Sequence, residues 1–379
     1  MRREKDFPVS SSIKLFFGKT GQPAQHCALS VLLCFVACSE PDNRPSPSIE
    51  TYPDDHWELY EPSKAGMQQA GINSALNYAF SGGKNTQGVV IVRHGVIVGE
   101  RYTTGSNERS LATSWSTGKS IASALIGIAV DQQIIASIDE PAANYLPEWK
   151  DTGRDSVTIR ALLEMRSGLV RDAGSGSISL YAAGGDQLAL SLNRQINEPP
   201  RTKWVYRNED SMLFAGILEE STGMIVSEYA EKHLFSKIGM TASWWTDTAG
   251  HALTYCCVDA TTRDFARFGL LFARHGRWKN EQVVSKSWVK ESTTTPEGSS
   301  YYALQWWVFS KWGSIAALGY HENNIWVYPE LDLVVARNSL YTKVGNREVR
   351  TGNNYHRTAG PNNWNGDTFL AYILGAVID

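Results

Sequence analysis

The sequence predicts an α/β fold. An antiparallel sheet is assembled from both ends of the chain and flanked by helices, an all-helical lobe is inserted between them, and the functional site lies in the cleft where the lobes meet. Three observations carry this reading. β-Branched apolar runs occur early, from Gly88 to Tyr102, and again after residue 300. The stretch from about 138 to 245 shows helical spacing and helix-stop signals instead. Ser116 stands three residues before Lys119 at the head of an apolar helix, which puts a hydroxyl and an amine on one helical face.

Taken in order, the first 38 residues read as an export leader. Arg2, Arg3, Lys5, Lys14 and Lys19 make a basic start, and Cys27 to Ala37 is an apolar run too short to span a bilayer but suited to a signal-peptide core. The run ends in Phe35-Val36-Ala37-Cys38, which resembles a bacterial lipobox with Phe35 where leucine is usual, so Cys38 is the candidate lipidation site. Residues 39–58 are polar and proline-rich and read as a flexible linker. The body is then 59–379, with a sheet lobe at about 59–137 and 246–379 and a helical lobe at about 138–245.

Within the body, a helix is expected over roughly 65–80. Two apolar runs around His94-Gly95 read as a hairpin. The helix after Ser116 is apolar nearly all round and is expected to be buried. Ile159 to Met165 forms a helix stopped at Ser167-Gly168, and Ser211 to Glu220 one stopped at Thr222-Gly223. Residues 171–187, rich in Gly, Ser and Ala, read as a mobile loop. Tyr302–Phe309, Ser314–Gly319, Ile325–Tyr328 and Leu331–Arg337 alternate with short turns as a meander, and Gly366–Asp379 closes as a helix.

Composition excludes several classes. The 379 residues carry a net charge of -3, which gives no electrostatic footprint for nucleic acid. Of five cysteines, only the adjacent pair Cys256-Cys257 lies outside the leader, and adjacent cysteines seldom bridge each other, so no disulfide framework is expected. No Cys-x-x-Cys or His-rich spacing argues for zinc. No cofactor is implied.

A serine hydroxyl becomes a good nucleophile when a base takes its proton, and a neutral lysine can be that base. At the first turn of a helix the macrodipole also favours a developing oxyanion. Ser116 and Lys119 meet these conditions. The other Ser-x-x-Lys spacings do not: Ser11/Lys14 lies in the leader, Ser81/Lys84 in a glycine-rich turn, and Ser287/Lys290 in a polar stretch.

Tyr206-Arg207-Asn208 is the sole Tyr-x-Asn in the chain, and Ala317-Leu318-Gly319-Tyr320 ends an expected strand more than a hundred residues later. With Ser116-x-x-Lys119 they stand in the order of the three motifs of the serine β-lactamase and penicillin-binding superfamily, which the chain resembles over about 65 to 379. The flanking stretches Thr158–Leu163, Ser167–Leu169 and Ala260–Gly269 match as well. The resemblance implies that Ser116 is the acylated nucleophile, Lys119 the base or proton relay, and Tyr206 its acid/base partner. It also implies that Asn208 hydrogen-bonds near Lys119, and that the backbone N–H groups of Ser116 and Tyr320 form the oxyanion hole after Gly319. Which of Lys119 and Tyr206 holds the resting proton is open at this level.

The third motif departs from the antibiotic-related members, since Ala317 stands where they carry Lys or His. The pattern looks more like 6-aminohexanoate-dimer hydrolases and their carboxylesterase relatives, which implies a serine hydrolase of small linear amides or esters. Those relatives usually show glycines where His321-Glu322 stands. His321 and Glu322 then either contact a substrate amine or are turn residues with solvated side chains, the second reading being favoured. Asp186 could pair with a substrate amine or be a solvated loop acid, and Tyr181 could gate the acyl group or be a surface aromatic. Trp306 and Trp307, adjacent on a strand, point to opposite faces, so with Trp326 only some of the three face the cleft.

Rival readings are weaker. Thr113 to Ser120 lacks the first glycine of a phosphate loop, there is no Gly-x-Ser-x-Gly elbow, and His321-Glu322-Asn323-Asn324-Ile325 lacks the second histidine of a zinc protease helix. A β-lactamase or D,D-peptidase and a non-catalytic surface protein of penicillin-binding type remain as alternatives. The expected partners are a small amide or ester substrate, a membrane reached through an N-terminal lipid anchor alone, and a second copy of the chain if it dimerises. The expected location is the periplasm or its membrane surface.

Overall fold

The computed structural model describes residues 46–48, 51–171, 180, 184–343, 355–356 and 360–378. The leader with Cys38, and Tyr181, lie outside them.

The main sheet has six strands in the order Val96–Tyr102, Thr86–Arg93, Leu333–Ser339, Asn323–Tyr328, Ser314–Gly319 and Trp307–Phe309, every neighbouring pair antiparallel. β1 (Thr86–Arg93) and β2 (Val96–Tyr102) form the expected hairpin. His94 (φ 52°) and Gly95 (φ 77°) both take the left-handed conformation that two-residue hairpins require. A Cβ on Gly95 would stand 1.8 Å from the Thr51 carbonyl, so no larger residue fits. Three short strands follow: β3 (Leu111–Thr113), β4 (Ala242–Trp244) and β5 (Val258–Thr261) make a second sheet in the order β3-β5-β4. β6 (Arg277–Trp278) and β7 (Glu281–Gln282) pair with each other. The late meander is β8 (Trp307–Phe309), β9 (Ser314–Gly319), β10 (Asn323–Tyr328) and β11 (Leu333–Ser339).

The two chain ends meet where β1 pairs β11, Val90 opposite Ala336 and Ile91 opposite Val335. Side chains alternate across a strand. Val89, Ile91 and Val335 therefore pack with Ile72 and Leu76 of α1 (Gln69–Ala79) and with Phe369 and Ile373 of the helix Gly366–Leu374. Val90, Val92 and Val334 pack on the other face with Phe265, Phe268 and Phe272 of the helix Thr262–Ala273. Thr261 and Asp264 close a reciprocal capping box at the start of that helix. Gly269 lets it lie against the sheet, since a Cβ there would meet Val334 at 2.5 Å.

α2 (Gly118–Asp131) is buried along its whole length from Gly118 to Ala129, as its all-round apolarity predicts. The region between α2 and β4 contains α3 (Ile159–Leu163) and the helices Gln187–Leu192, Asn208–Thr222 and Val226–Ala230. Asn208–Thr222 is longer at both ends than the spacing predicts, and stops where Gly223 turns left-handed (φ 65°).

One expectation is corrected here. Residues 46–48 and 51–58 of the predicted flexible linker are described, and the stretch 51–58 is packed on the body. Trp57 is buried in the main core, and Tyr52 meets Trp278 at 5.2 Å. Arg267 donates to the carbonyls of Pro53 and Asp54, and Arg274 to that of Thr51. Composition reads the prolines and acids as solvated chain, but the backbone carbonyls between them satisfy two arginines held on the helix beneath.

Candidate active site

The nucleophile turn lies on the short 3-10 helix Trp115–Thr117, which runs into α2. Trp115 is left-handed (φ 48°), an unusual conformation for an aromatic residue and a form of strain found at functional turns. Its ring is buried and meets Tyr320 edge-on at 5.6 Å. Ser114 ties the turn to β5: its N–H donates to the Val258 carbonyl, and its hydroxyl accepts from the Val258 N–H. Gly118 is required by close approach, because a Cβ there would stand 2.9 Å from the Cys256 carbonyl.

The three motif side chains converge. Lys119 Nζ lies 3.3 Å from Ser116 Oγ, 2.8 Å from Asn208 Oδ1 and 2.7 Å from the Tyr255 carbonyl. Tyr206 hydrogen-bonds Ser116 through its hydroxyl, and its ring lies 4.9 Å from Lys119 Nζ. A neutral amine has two hydrogens and one lone pair. Asn208 Oδ1 and the Tyr255 carbonyl oxygen are the acceptors facing it, so a neutral amine that gives them its two hydrogens turns its lone pair toward Ser116. Lys119 is 1% exposed, and burial pushes its amine well below the usual lysine value, against a smaller opposing pull from the Glu209 carboxylate. Burial likewise pushes the Tyr206 phenol up, to about 12, with the Ser116 hydrogen bond opposing. Both shifts run in the same direction, toward a neutral lysine and a protonated tyrosine, the alternative the sequence leaves open.

The end of β9 completes the wall. Gly319 is another enforced glycine, since a Cβ there would stand 2.4 Å from the Ser114 carbonyl and 2.6 Å from that of Asn323. The Thr117 hydroxyl lies 2.6 Å from the Asn323 carbonyl, within donating distance, so the nucleophile turn and the β9–β10 turn are locked together. Ala317 is buried in the main core and brings no charge to this strand.

The turn after Tyr320 corrects a second expectation. His321 (φ 59°) and Glu322 (φ 65°) are turn residues, but their side chains are packed and only partly exposed. The His321 ring lies stacked on Tyr320 at 4.0 Å and near-parallel to Tyr341 at 5.9 Å. The Glu322 carboxylate accepts from Asn324, and burial holds its carboxyl above the usual range. The fully buried Arg337 donates to both their carbonyls, at 3.2 and 2.8 Å. Both residues sit in the left-handed region that glycine enters without cost, which explains why glycines serve there in the family resembled.

The remaining candidates separate. Asp186 is exposed and caps the helix Gln187–Leu192 by accepting from the Ala189 N–H at 2.8 Å. Trp306 is fully buried against Phe268 and Phe272, and Trp326 packs on Phe369. Only Trp307 reaches the site, stacked with Tyr206 at 6.1 Å and with Tyr301 at 6.0 Å, while Trp204 stands edge-on to both Tyr301 and Trp307. This gives the cleft an aromatic wall beside the tyrosine.

Sequence reasoning missed three contributors. The Tyr255 carbonyl is a backbone group with no signature in sequence. The fully buried Gln305 accepts from Ser120 through its carbonyl and from Ser211 through its side chain, tying α2 to the helix that carries Asn208. The third is the pair Cys256-Cys257, which forms a disulfide, contrary to expectation. In an extended pair the side chains point to opposite faces, but Cys257 is left-handed (φ 70°) and turns its sulfur to the same side as that of Cys256.

Asp210, two residues after Asn208 on the same helix, is fully buried and accepts from the Ser167 hydroxyl at 2.6 Å. Its other oxygen makes no hydrogen bond, although Arg207 lies 3.9 Å away. Burial outweighs that arginine and raises the carboxyl to about 7. Because this folded value lies above the unfolded one, the stability Asp210 contributes is present at acid pH and is lost as pH rises through about 7. The Tm of Asp210→Asn is therefore expected to gain on wild type between about pH 5 and pH 8, measured by paired thermal melts. A constant difference would show that Asp210 is ionised throughout.

Comparison with known proteins bears on the fold and the family. The family described as Beta-lactamase matches residues 67–358. The 6-aminohexanoate-dimer hydrolase of Paenarthrobacter ureafaciens is 23% identical over 288 residues, which is 68% of this chain and 73% of that protein. Among solved structures, a Bacillus anthracis protein provisionally assigned as a 6-aminohexanoate-dimer hydrolase superposes with a TM-score of 0.65 at 21% identity, covering 78% of this chain and 84% of its own. EstCE1, described as a hydrolase with promiscuous acyltransferase activity, gives 0.59 at 12% identity, covering 71% and 92%. At these identities the structures speak for the fold alone, whereas the family match spans well over half of the sequence. The chain belongs to the beta-lactamase family of serine hydrolases.

Proposed function

We propose that this protein hydrolyses small linear amides or esters through an acyl-enzyme on Ser116. The observation that carries the reading is the set of contacts at Lys119 Nζ, two hydrogen-bond acceptors and one serine hydroxyl around a buried amine. Lys119 takes the Ser116 proton as Oγ attacks the substrate carbonyl. The tetrahedral oxyanion is held by the N–H groups of Ser116 and Tyr320; each such donor stabilises the transition state by about 3 kcal/mol in comparable hydrolases. Collapse expels the amine or alcohol, which takes the phenolic proton of Tyr206, and the Lys119 ammonium returns a proton to Tyr206. A water then repeats the sequence on the acyl ester.

Two features favour linear substrates over penicillin-type ones. Ala317 offers no cation for a substrate carboxylate, and the Trp307–Tyr206–Tyr301 wall suits an apolar chain. A dimer of 6-aminohexanoate is the first amide to test, on the strength of the curated relative. The basic start, apolar core and Cys38 of the leader support an exported, lipid-anchored protein, which palmitate labelling of wild type against Cys38→Ala tests.

The deciding experiment treats the full chain with a fluorophosphonate and a short p-nitrophenyl ester. Covalent labelling mapped to Ser116 with ester turnover is the expected result. A folded protein that neither labels nor turns over the ester is a binding protein on a hydrolase scaffold.

A further inference from the structure

The segment Thr254–Cys257 forms the floor beneath Lys119, and every residue in it is tied down. The Thr254 hydroxyl donates to the Ser211 carbonyl, and the Tyr255 hydroxyl to Gln187, each at 2.7 Å. The Tyr255 carbonyl accepts from Lys119 at 2.7 Å. The Cys256 carbonyl accepts from the Trp244 indole at 2.8 Å and lies where Gly118 leaves room for it. The Cys257 N–H donates to the carbonyl of Trp115, the residue before the nucleophile. One segment thus holds both the amine of the pair and the turn that presents the hydroxyl.

That floor depends on an unfavourable backbone conformation. Cys257 is left-handed without being glycine, asparagine or aspartate (φ 70°), and its side chain is joined to that of its neighbour. Both cysteines are buried, Cys256 at 1% and Cys257 at 0% exposure, so neither sulfur is placed to react with substrate.

We propose that the Cys256–Cys257 disulfide is a positioning element for the reaction: it locks Cys257 left-handed, which keeps the Tyr255 carbonyl on Lys119 and the Trp115 carbonyl behind Ser116. The inference rests on the hydrolase reading above. The bond forms by thiol–disulfide exchange with an oxidant that itself carries a disulfide. One cysteine thiolate attacks the oxidant's sulfur to give a mixed disulfide, and the second thiolate displaces it. Two thiols lose two protons and two electrons, and the oxidant leaves as a dithiol. In the dithiol form nothing covalent opposes relaxation of Cys257, the adjacent peptides rotate, and Lys119 loses the acceptor that orients its lone pair.

The test compares the full chain folded under oxidising and under reducing conditions, with the state of Cys256 and Cys257 read by peptide mass after alkylation. The reduced form is expected to show kcat on a p-nitrophenyl ester lowered by about tenfold or more with KM nearly unchanged, recovering on reoxidation. Cys256→Ser with Cys257→Ser is expected to repeat the loss and to displace the acid limb of the pH profile. Cys256→Ser with Cys257→Gly is expected to regain most of the activity, because glycine takes the left-handed conformation without a bridge. Equal kcat and pH profiles in the oxidised, reduced and double-serine proteins overturn the proposal. If no form turns over any ester, which sinks the hydrolase reading itself, acetylation of Lys119 by an amine-reactive reagent still decides. Reaction several-fold faster in the reduced than in the oxidised protein supports the floor; equal rates overturn it.

Discussion

Replacing Ser116 by alanine is expected to lower kcat/KM for esters and amides by at least about 10^4-fold while leaving a folded protein. The size of the loss follows from the geometry. Lys119 and Tyr206 both meet the one hydroxyl, Asn208 holds Lys119, and no other serine hydroxyl lies within hydrogen-bonding distance of Lys119 Nζ among the described contacts. What survives is the catalysis that binding and the oxyanion donors supply without a nucleophile. The cost to stability is small, because a half-buried hydroxyl with its hydrogen bonds contributes about 1 kcal/mol. That corresponds to a Tm shift of about 2–4 °C. Ester turnover and thermal melts on one preparation check both halves. A folded alanine variant that keeps wild-type turnover places the nucleophile elsewhere.

Much of this site is legible in sequence because its parts lie within short, regular spacings. Ser116 and Lys119 share a helix face by i,i+3 spacing alone, and Asn208 opens a helix whose hydrophobic pattern is plain. The hairpin at His94-Gly95 and the late meander follow from β-branched runs and turn residues, and their pairing through β1 and β11 follows once both ends read as strand. What escapes is of two kinds. Backbone groups carry no side-chain signature, so neither the Tyr255 carbonyl on Lys119 nor the carbonyls that hold Arg337 in the His321-Glu322 turn could be read. Residues whose roles depend on a left-handed backbone are also hidden, since sequence assigns that conformation to glycine. Cys257, His321, Glu322 and Trp115 all adopt it, and the first three correct the reading of their region. Alternation put Trp306 and Trp307 on opposite faces, but only the packed sheet shows that Trp307 is the one beside Tyr206.

Lys119 is the second residue whose replacement should be severe, and the choice of substitute identifies its role. Lys119→Met removes the amine and Lys119→Arg keeps a positive charge that cannot be titrated away. If the lysine served as a fixed cation, arginine would preserve activity. If it is a base, both variants should lose about 10^2- to 10^4-fold in kcat. The wild-type profile carries the same signature. Burial depresses the Lys119 amine well below its ordinary value, so kcat/KM is expected to fall as pH drops through that depressed value and the amine gains its proton. The alkaline limb belongs to Tyr206 at about 12, which leaves a plateau above the acid limb rather than a narrow bell. Stability provides an independent check with a defined sign. The unfolded lysine binds its proton at higher pH than the folded one, so stability from this group is present above the ordinary lysine value and is lost as pH falls through the depressed one. Lys119→Met should flatten that slope in the same experiment that shows its loss of turnover. An arginine variant with near wild-type kcat, or a methionine variant with an unchanged acid limb, would move the base to another group.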